Sequence, residues 1–183
     1  PVQKPHPPIV RACISEDSMV AMGKAGRPVL IGVQTIATLR HRFSRYQEGL
    51  ESSGLNEAEI KKVLDQTWAQ RALFVCDSDQ EALDIATVAL AKYKAHILDA
   101  RIRFNPGGAP PPPPGTPIPD SEIVEHAFLA GTPATVAGKL EELRDIGVRN
   151  VLLNPNVGEI DPQKVEKSLR MFGETVIPKF RDE

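Results

Sequence analysis

Short, largely unbroken apolar runs alternate along this chain with longer stretches whose apolar residues recur every three or four positions. Four runs read as strands: Ile9–Ile14, Val29–Val33, Ala72–Cys76 and Asn150–Asn154. Continuous rather than alternating apolarity marks parallel strands buried on both faces. After the first strand, Ser15 is a good N-cap and Glu16-Asp17 suits a first helical turn, predicting a helix to about Ala25 that stops at Gly26. After the second, Ile36, Leu39, Phe43, Tyr46 and Leu50 form a helical stripe from Thr35 to about Ser52. Asn56 and Glu59 have capping-box spacing and open a helix carrying Ile60, Val63 and Leu64. Ser78 and Glu81 repeat that spacing after the third strand, before the stripe Leu83, Ala86, Leu90, Tyr93 and Ile97.

Residues 105–120 are read as a Pro/Gly-rich loop containing five consecutive prolines, Pro110–Pro114, which can neither pair in a sheet nor continue a helix. The loop is a polyproline spacer or a lid, and its length favours a functional role. Ser121–Ala130 is read as a short helix. Thr132 at N-cap and Pro133 at N1 then start a helix with the stripe Val136, Leu140, Leu143 and Ile146, closed by Gly147. Pro155–Ile160 is a loop, and Asp161-Pro162 starts the last helix, with Val165, Leu169, Phe172 and Val176 inward. Strand followed by helix, four times over, predicts an α/β fold: an open doubly wound sheet or part of a (β/α)8 barrel. The pattern admits both. It predicts a single domain over residues 1–183.

Composition narrows the function classes. Hydrophobic residues make up 41% of the 183 and charged residues 25%, as in an ordinary globular domain. The net charge of -2 offers no basic surplus for nucleic acid. No apolar run approaches the roughly 20 residues of a membrane span, and no signal peptide is visible. Cys13 and Cys76 lie in apolar runs and read as buried thiols of a reducing, cytoplasmic setting. The four histidines are scattered and no Cys/His spacing suggests a metal. The start at Pro1, within the proline-rich lead-in Pro1–Pro8, suggests a fragment or processed product.

The C-terminal stretch Glu125-His126-Ala127-Phe128-Leu129-Ala130-Gly131-Thr132-Pro133, followed by Asp145-Ile146-Gly147-Val148 and Val151-Leu152-Leu153-Asn154, resembles the end of luciferase-like (bacterial luciferase family) flavin-dependent monooxygenases. In that family a Gly-Thr/Ser-Pro helix start precedes the last barrel strand. Ser168–Phe172 and Val176–Pro178 resemble the closing helix. Phe74–Ala82 resembles the seventh strand and its helix start, and Ser15–Pro28 the loop and helix after strand five. The resemblance implies a partial (β/α)8 TIM barrel, roughly strands five to eight, with the first four absent.

It also implies chemistry. Matching hydroxyl residues in the family contact the flavin 5′-phosphate, which assigns Ser15 and Ser18 to the cofactor; a helix N-terminus suits an anion on independent grounds. Both serines also read as plain cap and surface residues. Gln34, Thr35, Asn154 and Asn156 follow strands and are candidates for the cavity, although turn and cap roles are the commoner use of such residues. Arg101 and Arg103 read as solvated, His126 as a partly buried helix residue, and Thr132-Pro133 as capping. No Ser-His-Asp, Cys-His or paired-carboxylate arrangement is present, as expected where a cofactor performs the chemistry. The resemblance implies reduced FMN and oxygen acting on a small organic substrate, with a flavin reductase as supplier. A deazaflavin (coenzyme F420) oxidoreductase is a close alternative. The family's residues around the flavin ring come largely from the first half of the barrel. The chain is therefore expected to need its missing N-terminal half barrel or a homodimer partner, or else to be a non-catalytic flavin-binding or dimerising scaffold.

Overall fold

A computed structural model describes residues 2–105, 107 and 118–181. The Pro110–Pro114 run, and with it the choice between lid and spacer, lies outside the described residues. The elements in chain order are β1 (Arg11–Cys13), α1 (Glu16–Lys24), β2 (Val29–Ile31), α2 (Ile36–Glu51), α3 (Glu57–Asp65), β3 (Trp68–Val75), α4 (Asp79–Phe104), α5 (Asp120–Ala127), β4 (Leu129–Gly131), α6 (Pro133–Ile146), β5 (Asn150–Asn154) and α7 (Pro162–Met171). A π-helical turn, Phe172–Val176, and a 3-10 turn, Ile177–Phe180, follow. Contacts group the chain into two compact units, residues 1–71 with 141–153 and residues 72–140 with 154–183.

In the first unit β1 pairs in parallel with β2, Cys13 opposite Ile31, and β2 with β3, Ile31 opposite Ala69. Parallel pairing brings the C-terminal ends of β1 and β2 to one end of the sheet, so Ser15 and Gln34 emerge side by side. The buried core is Cys13, Met19, Val29, Ile31, Leu39, Phe43, Tyr46 and Leu50. Two helical glycines let α1 and α2 touch through their backbones: a Cβ on Gly23 would lie 2.4 Å from the Tyr46 carbonyl oxygen. The Tyr46 hydroxyl donates to the Arg27 carbonyl at 2.9 Å, and burial pushes its pKa up to about 12. The side-chain amide of Asn150 donates to the carbonyls of Asp65 and Thr67, tying the start of β5 to the start of β3, with which it pairs. β1 has no strand on its outer edge among the described residues, and Ile9 and Ile14 beside it are 63% and 71% exposed.

The second unit packs the later half of β3 against an alanine-rich face of α4. Ala72, Phe74 and Cys76 meet Ala82, Ala86, Ala89 and Leu90 in one buried cluster with Val124, Ala127 and Phe128. Gly158 adopts φ +68, and a Cβ there would fall 1.7 Å from the Ala89 carbonyl oxygen, so only glycine fits. Ser168, buried in α7, accepts the Val75 N–H at 2.7 Å.

Two boundaries differ from the sequence reading. The helix expected over Ser121–Ala130 ends at Ala127, because Phe128 turns extended and Leu129–Gly131 pairs in parallel with Leu73–Val75. α4 ends at Phe104, where the expected loop begins. The last helix relaxes into the π-helical turn after Met171, where Gly173 lowers helix propensity.

Candidate functional site

The ends of β1 and β2 hold the densest set of the residues singled out in the sequence. Ser15 caps α1: its Oγ accepts the Ser18 N–H at 3.3 Å and lies 2.8 Å from the Ser18 Oγ. Ser15 is exposed and Ser18 half-buried. The remaining first-turn N–H groups of a helix have no intrahelical acceptor and point along its axis. The acidic neighbour Glu16 turns away from the axis. Its carboxylate is held by His41 at 3.0 Å and by Arg45 at 3.7 Å on α2. Its charge is thereby compensated sideways.

Gln34 leaves β2 beside this N-terminus. Its Oε1 accepts from the Arg42 guanidinium at 2.6 Å, and its Nε2 is buried with no partner. The same Arg42 Nη1 donates to the Ile14 carbonyl. Thr35 proves to be the N-cap of α2, accepting the Thr38 N–H at 3.2 Å. Arg42 was missed in the sequence. The available signal was its place on the border of the α2 stripe, one residue before Phe43, where a long side chain leans toward the helix N-terminus and hence toward the strand ends.

The other candidates lie elsewhere. Asn154, at the end of β5 in the second unit, is half-buried at a crevice of about 10 Å³ between Phe74, Ala86 and Val157, too small for more than packing. Asn156 is exposed. Arg101 and Arg103 end α4 in solvent, Arg103 paired with Asp99 at 2.8 Å. His126 is exposed beside Glu125. Thr132 caps α6 as expected, accepting the Thr135 N–H. Cys13 and Cys76 are buried free thiols, and burial pushes both pKa values up. A groove of about 380 Å³ lies along α4 and the start of α7, lined by Ile85, Val88, Lys92 and Ile160 among others. Among the described residues no cluster of His, Cys, Asp and Glu could hold a metal, and no helix is long and apolar enough to cross a membrane.

Chemically, the β1–β2 mouth combines two hydroxyls, a helix N-terminus and a guanidinium with the first-turn carboxylates Glu16, which is paired with His41 and Arg45, and Asp17. The hydroxyls, the helix end and the guanidinium suit a phosphate group.

The family model for luciferase-like monooxygenases matches residues 1–150. A 63-residue stretch is 38% identical to the 5,10-methylenetetrahydromethanopterin reductase of Methanopyrus kandleri, covering 34% of this chain and 17% of that protein. Among solved structures, the oxygenating constituent of 3,6-diketocamphane monooxygenase of Pseudomonas putida, in complex with FMN, is similar with a TM-score of 0.58 at 19% identity, over 94% of this chain and 49% of its own. The coenzyme F420-dependent tetrahydromethanopterin reductase of Methanopyrus kandleri gives 0.57 at 19% identity, over 95% and 51%. The likeness shows the fold, part of a (β/α)8 barrel. The chain spans about half the length of these solved relatives.

Proposed function

The chain belongs to the luciferase-like monooxygenase family, and from that premise we propose that it supplies the phosphate-binding half of a flavin-dependent oxidoreductase. The reaction proposed is oxygenation of a small organic substrate by reduced FMN and O2, in the cytoplasm, with a separate reductase supplying reduced flavin. The observation that carries the reading is the pair of adjacent hydroxyls, Ser15 and Ser18, at the N-terminus of α1, with the Arg42 guanidinium at the neighbouring strand end. Ser15 and Ser18 would hold the phosphate through their hydroxyls and the α1 N-terminus. The flavin would supply the redox chemistry once bound. This chain's own residues bind and orient: Glu16 is paired with His41 and Arg45, Gln34 and Thr35 follow β2 beside the mouth, and Asn154 and Asn156 are separate strand-end candidates after β5. The exposed outer edge of β1 supports a requirement for the other half of the barrel, or for a second copy, before turnover.

The relatives also support a second reading, a deazaflavin-dependent hydride transfer, since one solved neighbour is coenzyme F420-dependent. Titration of the chain with FMN and with coenzyme F420, followed by fluorescence and melting temperature, separates the two. Micromolar FMN binding that is lost in Ser15→Ala/Ser18→Ala supports the first. Selective F420 binding replaces it with the second, and binding of neither removes the cofactor role from this half.

A further inference from the structure

α4 outruns the packing that holds its start. Its first half buries Ala82, Ala86, Ala89 and Leu90, whereas no residue from 91 to 104 is buried on any side. A helical stretch of that length holds poorly by itself in water, and helices in proteins draw most of their stability from packing an apolar face. Ile97 and Ala100, which prolong the inward line, are half-buried. A second apolar line runs along the opposite side of the helix: Val88, Ala91, Ala95, Leu98 and Ile102, at successive spacings of three, four, three and four. That is the period of a heptad seam. Val88, Leu98 and Ile102 are 59%, 52% and 58% exposed, and Ala91 and Ala95 are exposed as well. The outer face of a helix packed on one side only is ordinarily polar. An apolar one at seam spacing marks a contact surface.

The seam fits a second copy of itself. Laid antiparallel with Ala95 of one copy opposite Leu98 of the other, it also sets Ile102 opposite Ala91. Every such layer then joins a large side chain to a small one, and the two helices close without voids. Run parallel, the seam would set Ala91 on Ala91 and Ala95 on Ala95 and leave gaps. Charge agrees with the antiparallel direction. Lys92 and Asp99 lie on the same flank, one heptad apart, so each copy brings its lysine to the other's aspartate. Asp99 also accepts from Arg103 through Oδ1 at 2.8 Å. The other flank carries Lys94, which pairs with Asp120, and Arg101.

We propose that the outer face of α4 is a self-association seam on which a second copy of this chain lays its own α4 antiparallel. It is a different surface from the edge of β1, lies wholly in the second unit and needs no cofactor. Two heptads make a short seam, so the association is concentration-dependent rather than permanent.

The test is sedimentation equilibrium of the 183-residue chain from micromolar to millimolar concentration, with circular dichroism to confirm that each variant keeps its helices. The wild type should pass from monomer to dimer. Leu98→Lys and Ile102→Lys should each raise the dissociation constant tenfold or more, as expected when one aliphatic side chain is no longer buried. Lys92→Asp and Asp99→Lys should each weaken the dimer by setting like charges across the seam, and the two together should restore it. Ile9→Asp, beside β1, should change nothing. Cys13 and Cys76 are buried, so an Ala95→Cys thiol serves as a reporter. It should react slowly with a maleimide in concentrated solution and fast after dilution. A monomer at every concentration overturns the proposal, as does association that Ile9→Asp abolishes and Leu98→Lys leaves intact. A charge pair that fails to recover overturns the antiparallel seam. A thiol masked at every dilution shows the face covered by its own chain and rules out the second copy.

Discussion

Two helices of this chain start by the same device and end in opposite chemistry. At α1 a strand runs into Ser15, and the helix opens with Glu16 and Asp17; at α4 a strand runs into Ser78, and the helix opens with Asp79, then Glu81. In both the serine accepts the N–H three residues on. At α4 the mouth is closed from within. The Asp79 carboxylate accepts the Thr132 N–H at 2.6 Å, Lys167 pairs with Asp77 at 2.7 Å, and Lys164 lies 3.7 Å from Glu81. At α1 the acid is drawn aside and the hydroxyls face outward beside a guanidinium. A helix N-terminus thus becomes a candidate anion site or a structural joint according to which charge reaches it from elsewhere in the fold.

The closed mouth should be the more fragile. Gly131 adopts φ +143, and a Cβ there would stand 2.7 Å from Asp79 Oδ1 and 2.8 Å from Thr135 Cγ2. Gly131→Ala therefore both strains the backbone and pushes Asp79 off Thr132. A loss of about 2–4 kcal/mol is expected, the sum of a strained φ and a broken charge-assisted bond, read as a fall in the denaturation midpoint. An unchanged midpoint would show that the joint between Asp79 and α6 carries no stability.

Such differences bear on what the sequence could reveal. The strands β2 and β3 and the capping box at Asn56-Glu59 were legible because their signals are local: an apolar run, or two side chains three residues apart. β4 was not, since Leu129-Ala130-Gly131 has no strand signal of its own and exists by pairing with Leu73–Val75, more than fifty residues earlier. Ser15 as a cap was legible; the bridge that Arg42 makes between the Ile14 carbonyl and Gln34 was not, because Arg42 meets Ile14 from 28 residues away. Helix starts can be read from spacing, whereas the charge that opens or closes them is a tertiary fact.

A smaller effect at the closed mouth depends on pH. The Thr132 N–H, the Thr135 hydroxyl and to a lesser degree Lys139 hold the Asp79 carboxyl below its ordinary range. A carboxyl depressed in the folded state contributes stability that is fully present above its unfolded pKa of about 3.9 and is lost as pH falls through the folded value. Asp79→Asn should flatten the acid limb of the stability curve below about pH 4. If the substitution leaves the limb unchanged, Asp79 is not an acid-labile joint.

The smallest effect is expected where function is proposed. Ser15→Ala removes the cap of α1, and Ser18→Ala its hydroxyl partner. Loss of an exposed N-cap costs about 0.5–1 kcal/mol, less than the damage expected from Gly131→Ala. The pair should therefore melt only slightly below the wild type while phosphate no longer raises its melting temperature. That combination is the signature of an open mouth, in which side chains are held for a ligand rather than for the fold. A large loss of stability in the double variant would make the two helix starts alike after all, both joints, and would leave the hydroxyls of Ser15 and Ser18 with the capping role that their spacing alone predicts.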